Sequence, residues 1–242
     1  MSALAILGRR LEWDTDFFGV PIGQGEAGSA TDVEAIDLWA ARENISCLYL
    51  LVPGGTPEAA QAAEGRGFEF VGNRMTLRRD LGADLPDPGV TGSVTARPVR
   101  PADVPALERI AATVHGDTRF YVDRHFPRAS CDRLYQTWIR QSCEGWADRV
   151  LTAGTDGQPQ GYITLHVRAP GEGAIGLLGV ANEARRRGIG RVLVDSALRW
   201  FRDRGTVRVS VATQTQNLPA VALYQHMGFV VSDLDTWFHK WR

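Results

Sequence analysis

Lysine is almost missing from this chain. Of the 27 lysine and arginine residues, one, Lys240, is a lysine. A Walker phosphate loop ends in Gly-Lys-Ser/Thr, so that loop is excluded. Cysteine is scarce as well: Cys47, Cys131 and Cys143 are the full set. Three thiols without metal-ligand spacing give neither a disulfide framework nor a zinc site, and imply a cytoplasmic protein with reduced thiols and no metal. No apolar run reaches the ~20 residues of a membrane span. Residues 1–8 are too short for a secretory signal. A net charge of −1 leaves no global field to draw nucleic acid or an anionic membrane. What remains is a soluble globular chain, long enough at 242 residues for one large domain or two small ones.

The stretch Arg185-Arg186-Arg187-Gly188-Ile189-Gly190 carries the chemistry. Before it, Ala174–Val180 is short and apolar and reads as a buried strand. After it, Ile189–Arg204 has apolar residues at 189, 192, 193, 197, 200 and 201, which form one helical face. A helix N-terminus offers unpaired N–H groups and partial positive charge. Gly188 and Gly190 let the backbone come close to a ligand. Strand, Arg/Gly loop and helix together make an anion cradle suited to phosphate. Arg191, Arg199 and Arg202 add positive charge just after the loop. The alternative is an Arg-rich turn capping an ordinary helix. The loop itself does not have the Gly-x-Gly-x-x-Gly form of a dinucleotide fingerprint.

A second segment, Asn217 to Phe229, has Asn217 as N-cap, Pro219 in the first turn and Gly228 at the helix end. The pattern Arg185-x-x-Gly188-x-Gly190, followed by Asn217-x-x-Ala220-x-x-Leu223-Tyr224-x-x-x-Gly228-Phe229, resembles the two acyl-CoA motifs of the GNAT superfamily of N-acyltransferases.

The rest of the chain agrees with that layout. A helix over 31–44 is capped by Thr31, a strand covers 46–52, and a helix opens at Thr56-Pro57-Glu58 and ends at Arg66-Gly67. A strand covers 68–78. Residues 81–92, rich in Gly, Pro and Asp, read as a linker. Beyond it come a strand at Val94, a helix from Pro101 through Thr113, an irregular polar and aromatic stretch from His115 to Pro127, and a helix from Cys131. Strands over 149–153 and 161–167 are joined by a turn at Thr155-Asp156-Gly157. The expected class is α/β (α+β): a GNAT fold, a mixed central sheet with flanking helices, over 93–242. A smaller, truncated GNAT-like domain over 1–80 precedes it. The run Glu64 to Val71 echoes Gln225 to Ser232, each a helix end, a Gly-Phe and a strand.

The resemblance implies acetyl transfer from acetyl-CoA to an amine. It implies that Arg185, Arg186, Arg187, Gly188, Ile189, Gly190 and Arg191 hold the pyrophosphate. Leu178 and Val180 offer backbone groups to the pantetheine arm, from a strand that in the family splays around a bulge. Asn217 holds the arm or a water. Tyr224 contacts the donor and protonates the leaving thiolate. The family often places a glutamate base on the central strand, but 174–180 holds no acid. His115 is then the expected base, with Asp117, Asp123 and His166 as alternatives. The opening Leu11-Glu-Trp-Asp14-Thr-Asp16-Phe-Phe18-Gly19, with Arg119-Phe-Tyr121-x-Asp123, resembles a two-domain branch of the family that acetylates dTDP-linked amino sugars. That implies Asp14, Phe18, Asp117, Arg119, Tyr121 and Asp123 for acceptor binding, with the first domain as a wall of the acceptor site. A turn pinned to the core by Trp13 and Phe17 is the plainer reading of the opening. Other acceptors (an antibiotic, an amino acid, a protein N-terminus), a non-catalytic acyl-CoA sensor, and a homodimer stay open at this point.

Overall fold

The computed structural model describes residues 8–82, 94–155 and 158–242. In chain order its elements are β1 (Gly8–Arg10), α1 (Glu12–Phe18), β2 (Ile22–Glu26), α2 (Ala30–Arg42), β3 (Cys47–Pro53), α3 (Pro57–Gly65) and β4 (Glu69–Asp80). Then follow β5 (Thr95–Pro98), α4 (Val104–Val114), α5 (Arg119–Val122), α6 (Arg128–Gln141), β6 (Arg149–Gly154), β7 (Gly161–Ala169) and β8 (Glu172–Val180). The chain closes with α7 (Ile189–Arg202), β9 (Arg208–Gln214), α8 (Leu218–His226) and β10 (Val230–Trp241). Parallel and antiparallel pairs occur together, as a mixed α/β sheet requires. Among the described residues no helix is long and apolar enough to cross a membrane.

By their internal packing the residues form two compact units. The first takes the chain up to Met75 together with Thr118–Phe126 and Asp233–Arg242. The second takes Thr76–Asp117 and Pro127–Ser232. Residues 83–92 of the expected linker, and Asp156-Gly157 of the expected hairpin turn, lie outside the described residues.

In the first unit β2 pairs antiparallel with β1 and parallel with β3, and β3 pairs antiparallel with β10. β3 is apolar throughout, and its residues 47–52 are all buried. Side chains alternate across a strand. Leu48, Leu50 and Val52 pack into one core with Val33, Ile36 and Ala40 of α2 and Ala59 and Ala63 of α3. Cys47 and Tyr49 point the other way, and Tyr49 meets Phe120 and Phe126 at 6.1 and 6.4 Å between ring centroids.

Two features of this unit differ from the sequence reading, and a third is a glycine motif that the reading passed over. The stretch before Thr31 holds β1, α1 and β2. The cap of α2 is Ser29, whose Oγ accepts from Asp32 N–H at 3.1 Å, two residues before the expected Thr31. Residues Gly23-x-Gly25-x-x-Gly28 have fingerprint spacing, but Gly23 and Gly25 lie inside β2, paired with Leu48 and Leu50. They form no phosphate turn. Gly23 makes room for Trp39, whose ring a Cβ there would meet at 3.0 Å.

In the second unit β5, β6, β7 and β8 run antiparallel in succession, and β9 joins β8 in parallel. α4 packs on α6, and α7 packs on β6, β7 and β8. Gly161 lets α7 come close, since a Cβ there would stand 2.9 Å from Ile189 and 3.2 Å from Leu193.

Candidate active site

The site is built on an interruption in β8. Ile163 pairs with Leu178 and Leu165 with Ile175, so Gly176 and Leu177 of β8 face Thr164 alone. Two residues against one is a β-bulge. Leu177 turns its N–H to Thr164 Oγ1 at 2.8 Å. Gly176 is required here: a Cβ would fall 2.6 Å from His166 Nε2 and 2.7 Å from Thr164 Oγ1. The pairing of β8 with β9 ends at Ile175 and Val211. Past the bulge, therefore, β8 has a partner on its β7 side and none on its β9 side. A cavity of about 960 Å³ adjoins this part of β8. Leu178, Gly179 and Val180 form part of its wall, and Asn217, Ala220 and Leu223 another.

The Arg/Gly loop forms a further part of the wall. It turns through two left-handed residues, Arg186 (φ 61) and Gly188 (φ 82). The second is the N-cap of α7 and needs glycine for that φ. A non-glycine residue held left-handed costs on the order of 1–2 kcal/mol, so the surrounding loop imposes the conformation of Arg186. The first amides of α7 then lack intrahelical partners. Arg185, Arg186, Gly188, Ile189, Gly190 and Arg191 line the cavity, whereas Arg187 is exposed away from it. Arg191 Nε is buried and has no hydrogen-bond partner among the described residues. Gly190 serves packing, since a Cβ there would stand 3.1 Å from Leu223 Cδ2. Arg199 and Arg202 are spent on Asp195 and Asp203, at 2.8 and 3.2 Å.

Tyr224 sits on α8 between these walls and the core. It is buried, with its ring 5.6 Å from that of Phe229, and burial pushes its phenol above the usual range. The hydroxyl therefore stays protonated. Its neighbours Ala220 and Leu223 line the cavity, and Tyr224 itself does not. Asn217 lines the cavity and caps α8, with Oδ1 accepting from Ala220 N–H at 3.3 Å.

His115 does not line the cavity, although Val114 and Gly116 do. Its Nε2 is 2.8 Å from Tyr162 Oη and its ring stacks on Tyr135 at 4.4 Å. Burial lowers its pKa to about 4, so it is neutral at pH 7 and a weak base. Tyr162 was not marked by its sequence context, an apolar strand. Its ring fills the space beside Gly179, where a Cβ would stand 2.8 Å from it. Asp117 does line the cavity. Burial raises its pKa, against the charge of Arg185. Gln216 Nε2 fixes this loop by donating to the Asp117 carbonyl at 3.0 Å. His166 is half-buried at the bulge, 3.5 Å from Thr164 Oγ1, and desolvation lowers its pKa.

The remaining predicted residues, Asp14, Phe18, Arg119, Tyr121 and Asp123, belong to the first unit. Phe18 stacks on Phe120 at 6.0 Å and meets Phe126 at a tilt, 4.4 Å between centroids. Asp14 is half-buried, and desolvation raises its pKa while the Arg119 charge opposes. Asp123 is buried and accepts from His239 Nδ1 at 2.6 Å, Trp241 Nε1 at 2.9 Å and His125 N–H at 2.9 Å. Although burial alone would raise it, these donors hold the carboxylate well below its ordinary range. Cys47, Asp123 and His239 bring ligand-type atoms within 4.8 Å of one another. They do not fit a cation. His239 gives Nδ1 to Asp123, and its Nε2 meets Arg119 Nη1 at 2.8 Å. Burial raises the Cys47 thiol far above the range where it ionises. The sequence reading did not mark His239, which lies 116 residues from its carboxylate.

Residues 108–229 match the model of the acetyltransferase (GNAT) family. The chain is 27% identical, over 95% of its length and 96% of the relative's, to a dTDP-fucosamine acetyltransferase of Escherichia coli O6:H1. It is 32% identical to a mycothiol acetyltransferase of Beutenbergia cavernae, over 73% of this chain and 61% of that one. Among solved structures, a GCN5-related N-acetyltransferase from Sphaerobacter thermophilus superposes with a TM-score of 0.68 at 19% identity, covering 97% of this chain and 76% of that chain.

Proposed function

Since the chain belongs to the GNAT acetyltransferase family, we propose that it moves acetyl from acetyl-CoA to the primary amine of a nucleotide-linked amino sugar. The observation that carries the donor half is the parting of β8 from β9 beside the α7 loop. A pantetheine arm can lie along β8 as an added strand, bonded to backbone groups of Leu178 and Val180. The pyrophosphate then meets the first amides of α7. Arg185, Arg186 and Arg191 line the same cavity, and the buried Arg191 Nε supplies a donor without a partner. A backbone N–H past the bulge is suited to polarising the thioester carbonyl.

The amine attacks the thioester carbon directly. The C–N bond forms, the C–S bond breaks, and no covalent enzyme intermediate is needed. For the leaving thiolate, of thiol pKa ~8.5, we assign Tyr224 as the proton donor: its hydroxyl is held protonated, and although its side chain is off the cavity wall it follows Leu223, which is on it. For the amine proton we favour Asp117 over His115. Asp117 is the carboxylate on the cavity wall, and burial makes it a better base. His115, with Nε2 engaged by Tyr162, supports the Gly179 backbone from behind.

We assign acceptor recognition to the first unit, through Asp14, Phe18, Arg119 and Tyr121, with residues 1–80 and 93–242 as the two ancestral domains. The amino-sugar acceptor rests on the relative matched over 95% of this chain. The 32% identity to a mycothiol acetyltransferase favours, as a second reading, an amine of that enzyme's substrate class. Thiol release from acetyl-CoA with a panel of amines decides. A dTDP-linked amino sugar turned over at least tenfold faster (kcat/KM) than simple amino sugars, aminoglycosides and amino acids supports the first reading. Equal rates on all of them, or none, overturn it.

A further inference from the structure

Within the first unit a buried line of side chains ends in a guanidinium. Asp123, 4% exposed, bonds His239, 1% exposed, and His239 bonds Arg119. Arginine has donors only and keeps its proton. Nε2 of His239 must therefore accept from Arg119 Nη1. The one imidazole proton sits on Nδ1, where Asp123 Oδ2 takes it at 2.6 Å. The ring is neutral and its tautomer is fixed from both ends. The carboxylate is fixed in turn, by Trp241 on the same oxygen and His125 on the other.

Three rings hold the guanidinium itself. Its carbon lies 4.1 Å from the Tyr49 centroid, 4.2 Å from that of Phe120 and 4.5 Å from that of Trp237. Among the described residues, the bond to His239 is the one hydrogen bond of this side chain, and it has no ion pair. A surface arginine is ordinarily mobile and solvated, and a structural one is ordinarily matched to a carboxylate. Arg119 is neither. It is half-buried and immobilised, with its charge uncompensated by direct contact and most of its donor fork unspent. That is the form of a preorganised oxyanion receptor.

We propose that Asp123 and His239 are positioning residues that hold Arg119 as an arm for an oxyanion of the acceptor, a phosphate or a carboxylate, and that Asp123 does not itself touch the acceptor. The inference rests on the assignment of acceptor recognition to the first unit, and its test is kept separate from donor binding.

The test uses the full chain with thymidine diphosphate as the phosphate probe, acetate as the carboxylate probe and thymidine as the control, in titration calorimetry. The expected result is that Arg119→Gln and His239→Phe each weaken thymidine diphosphate at least tenfold and leave thymidine and acetyl-CoA unchanged. His239→Gln, which keeps one donor and one acceptor, recovers part of the loss. Arg119-dependent binding of acetate alone identifies a carboxylate as the source. Absence of Arg119-dependent binding of either probe overturns the arm, and equal affinity in parent and His239→Phe overturns the positioning role. Nitrogen NMR of the parent keeps the idea falsifiable if a variant fails to fold. A proton on His239 Nε2 contradicts it. In Asp123→Asn the side-chain amide can donate to Nδ1, so the proton moves to Nε2, against Arg119, and probe affinity falls. If acetyl-CoA does not bind the parent, the acetyltransferase reading fails, while the arm is still judged by its own probes.

Discussion

The N–H of Leu177 reaches the hydroxyl of Thr164 at 2.8 Å instead of a backbone carbonyl of β7. Thr164 is fully buried, and the bond it accepts is part-buried. One side chain thus stabilises the bulge, and past the bulge β8 is separate from β9. Thr164→Val keeps the shape and removes the acceptor. Leaving a fully buried N–H unpaired costs about 1–3 kcal/mol, and a part-buried one falls at the lower end, about 1 kcal/mol. Urea unfolding should show a loss of that size for Thr164→Val and a much smaller one for Thr164→Ser. No loss in Thr164→Val, beside a loss in Thr164→Ser, means that the methyl group matters and the hydroxyl does not.

Tyr224→Phe keeps the ring packed on Phe229 and deletes the hydroxyl. Turnover should fall roughly 10²–10⁴-fold with little change in acetyl-CoA affinity, the usual size of an acid–base contribution. Single-turnover rates check this. An unchanged chemical step reduces Tyr224 to a core residue.

His115 and His239 both have folded pKa values lowered to about 4, chiefly by burial. The unfolded chain, with histidine pKa near ~6.5, binds more protons than the folded one between those values. Stability from these two groups is therefore complete above pH ~6.5 and declines as pH falls towards 4, by on the order of 1 kcal/mol per pH unit for each. The raised carboxyls Asp14 and Asp117 act in the opposite sense, since burial makes the folded chain hold their protons more tightly. Urea midpoints at pH 7, 6 and 5 should fall in that order. His239→Gln should flatten the trend by roughly half, and a flat profile in the parent contradicts neutral buried histidines.

A fragment of residues 90–242 should not fold as a soluble enzyme. It carries β10 without β3, to which Asp235–Trp241 are paired, and so exposes a strand edge with Trp237 and Phe238. Light scattering and circular dichroism of the fragment test this. A soluble monomer with native-like helix content runs against it.

Much of this was legible in the sequence because it is local. The Arg/Gly loop, α7, the Asn217 cap and α8 are each set by residues within a few positions of one another. The family resemblance implies a bulge in this strand, but its position was not legible, because Ile175 to Val180 is an apolar run with no period to mark where pairing changes. β2 was hidden by Gly23 and Gly25, which blunt a strand pattern, and Thr31 reads as the cap because Glu34 stands three residues on, although Ser29 makes the bond. Long-range partners were invisible. Nothing near His115 announces Tyr162, which is 47 residues away, and nothing near Asp123 announces His239.

The central claim is that acetyl-CoA binds where β8 leaves β9, with its pyrophosphate on the amides that follow Gly188. Titration calorimetry of the full chain with acetyl-CoA, for the parent and for Gly188→Asp, tests it most directly. Gly188 has φ 82, so aspartate there adds backbone strain as well as bulk and a like charge beside the phosphates. The unfolding midpoint of the variant must be measured alongside. The predicted result is one site per chain in the parent and no detectable binding in a variant that is still folded. A folded Gly188→Asp protein that binds acetyl-CoA as tightly as the parent contradicts the account.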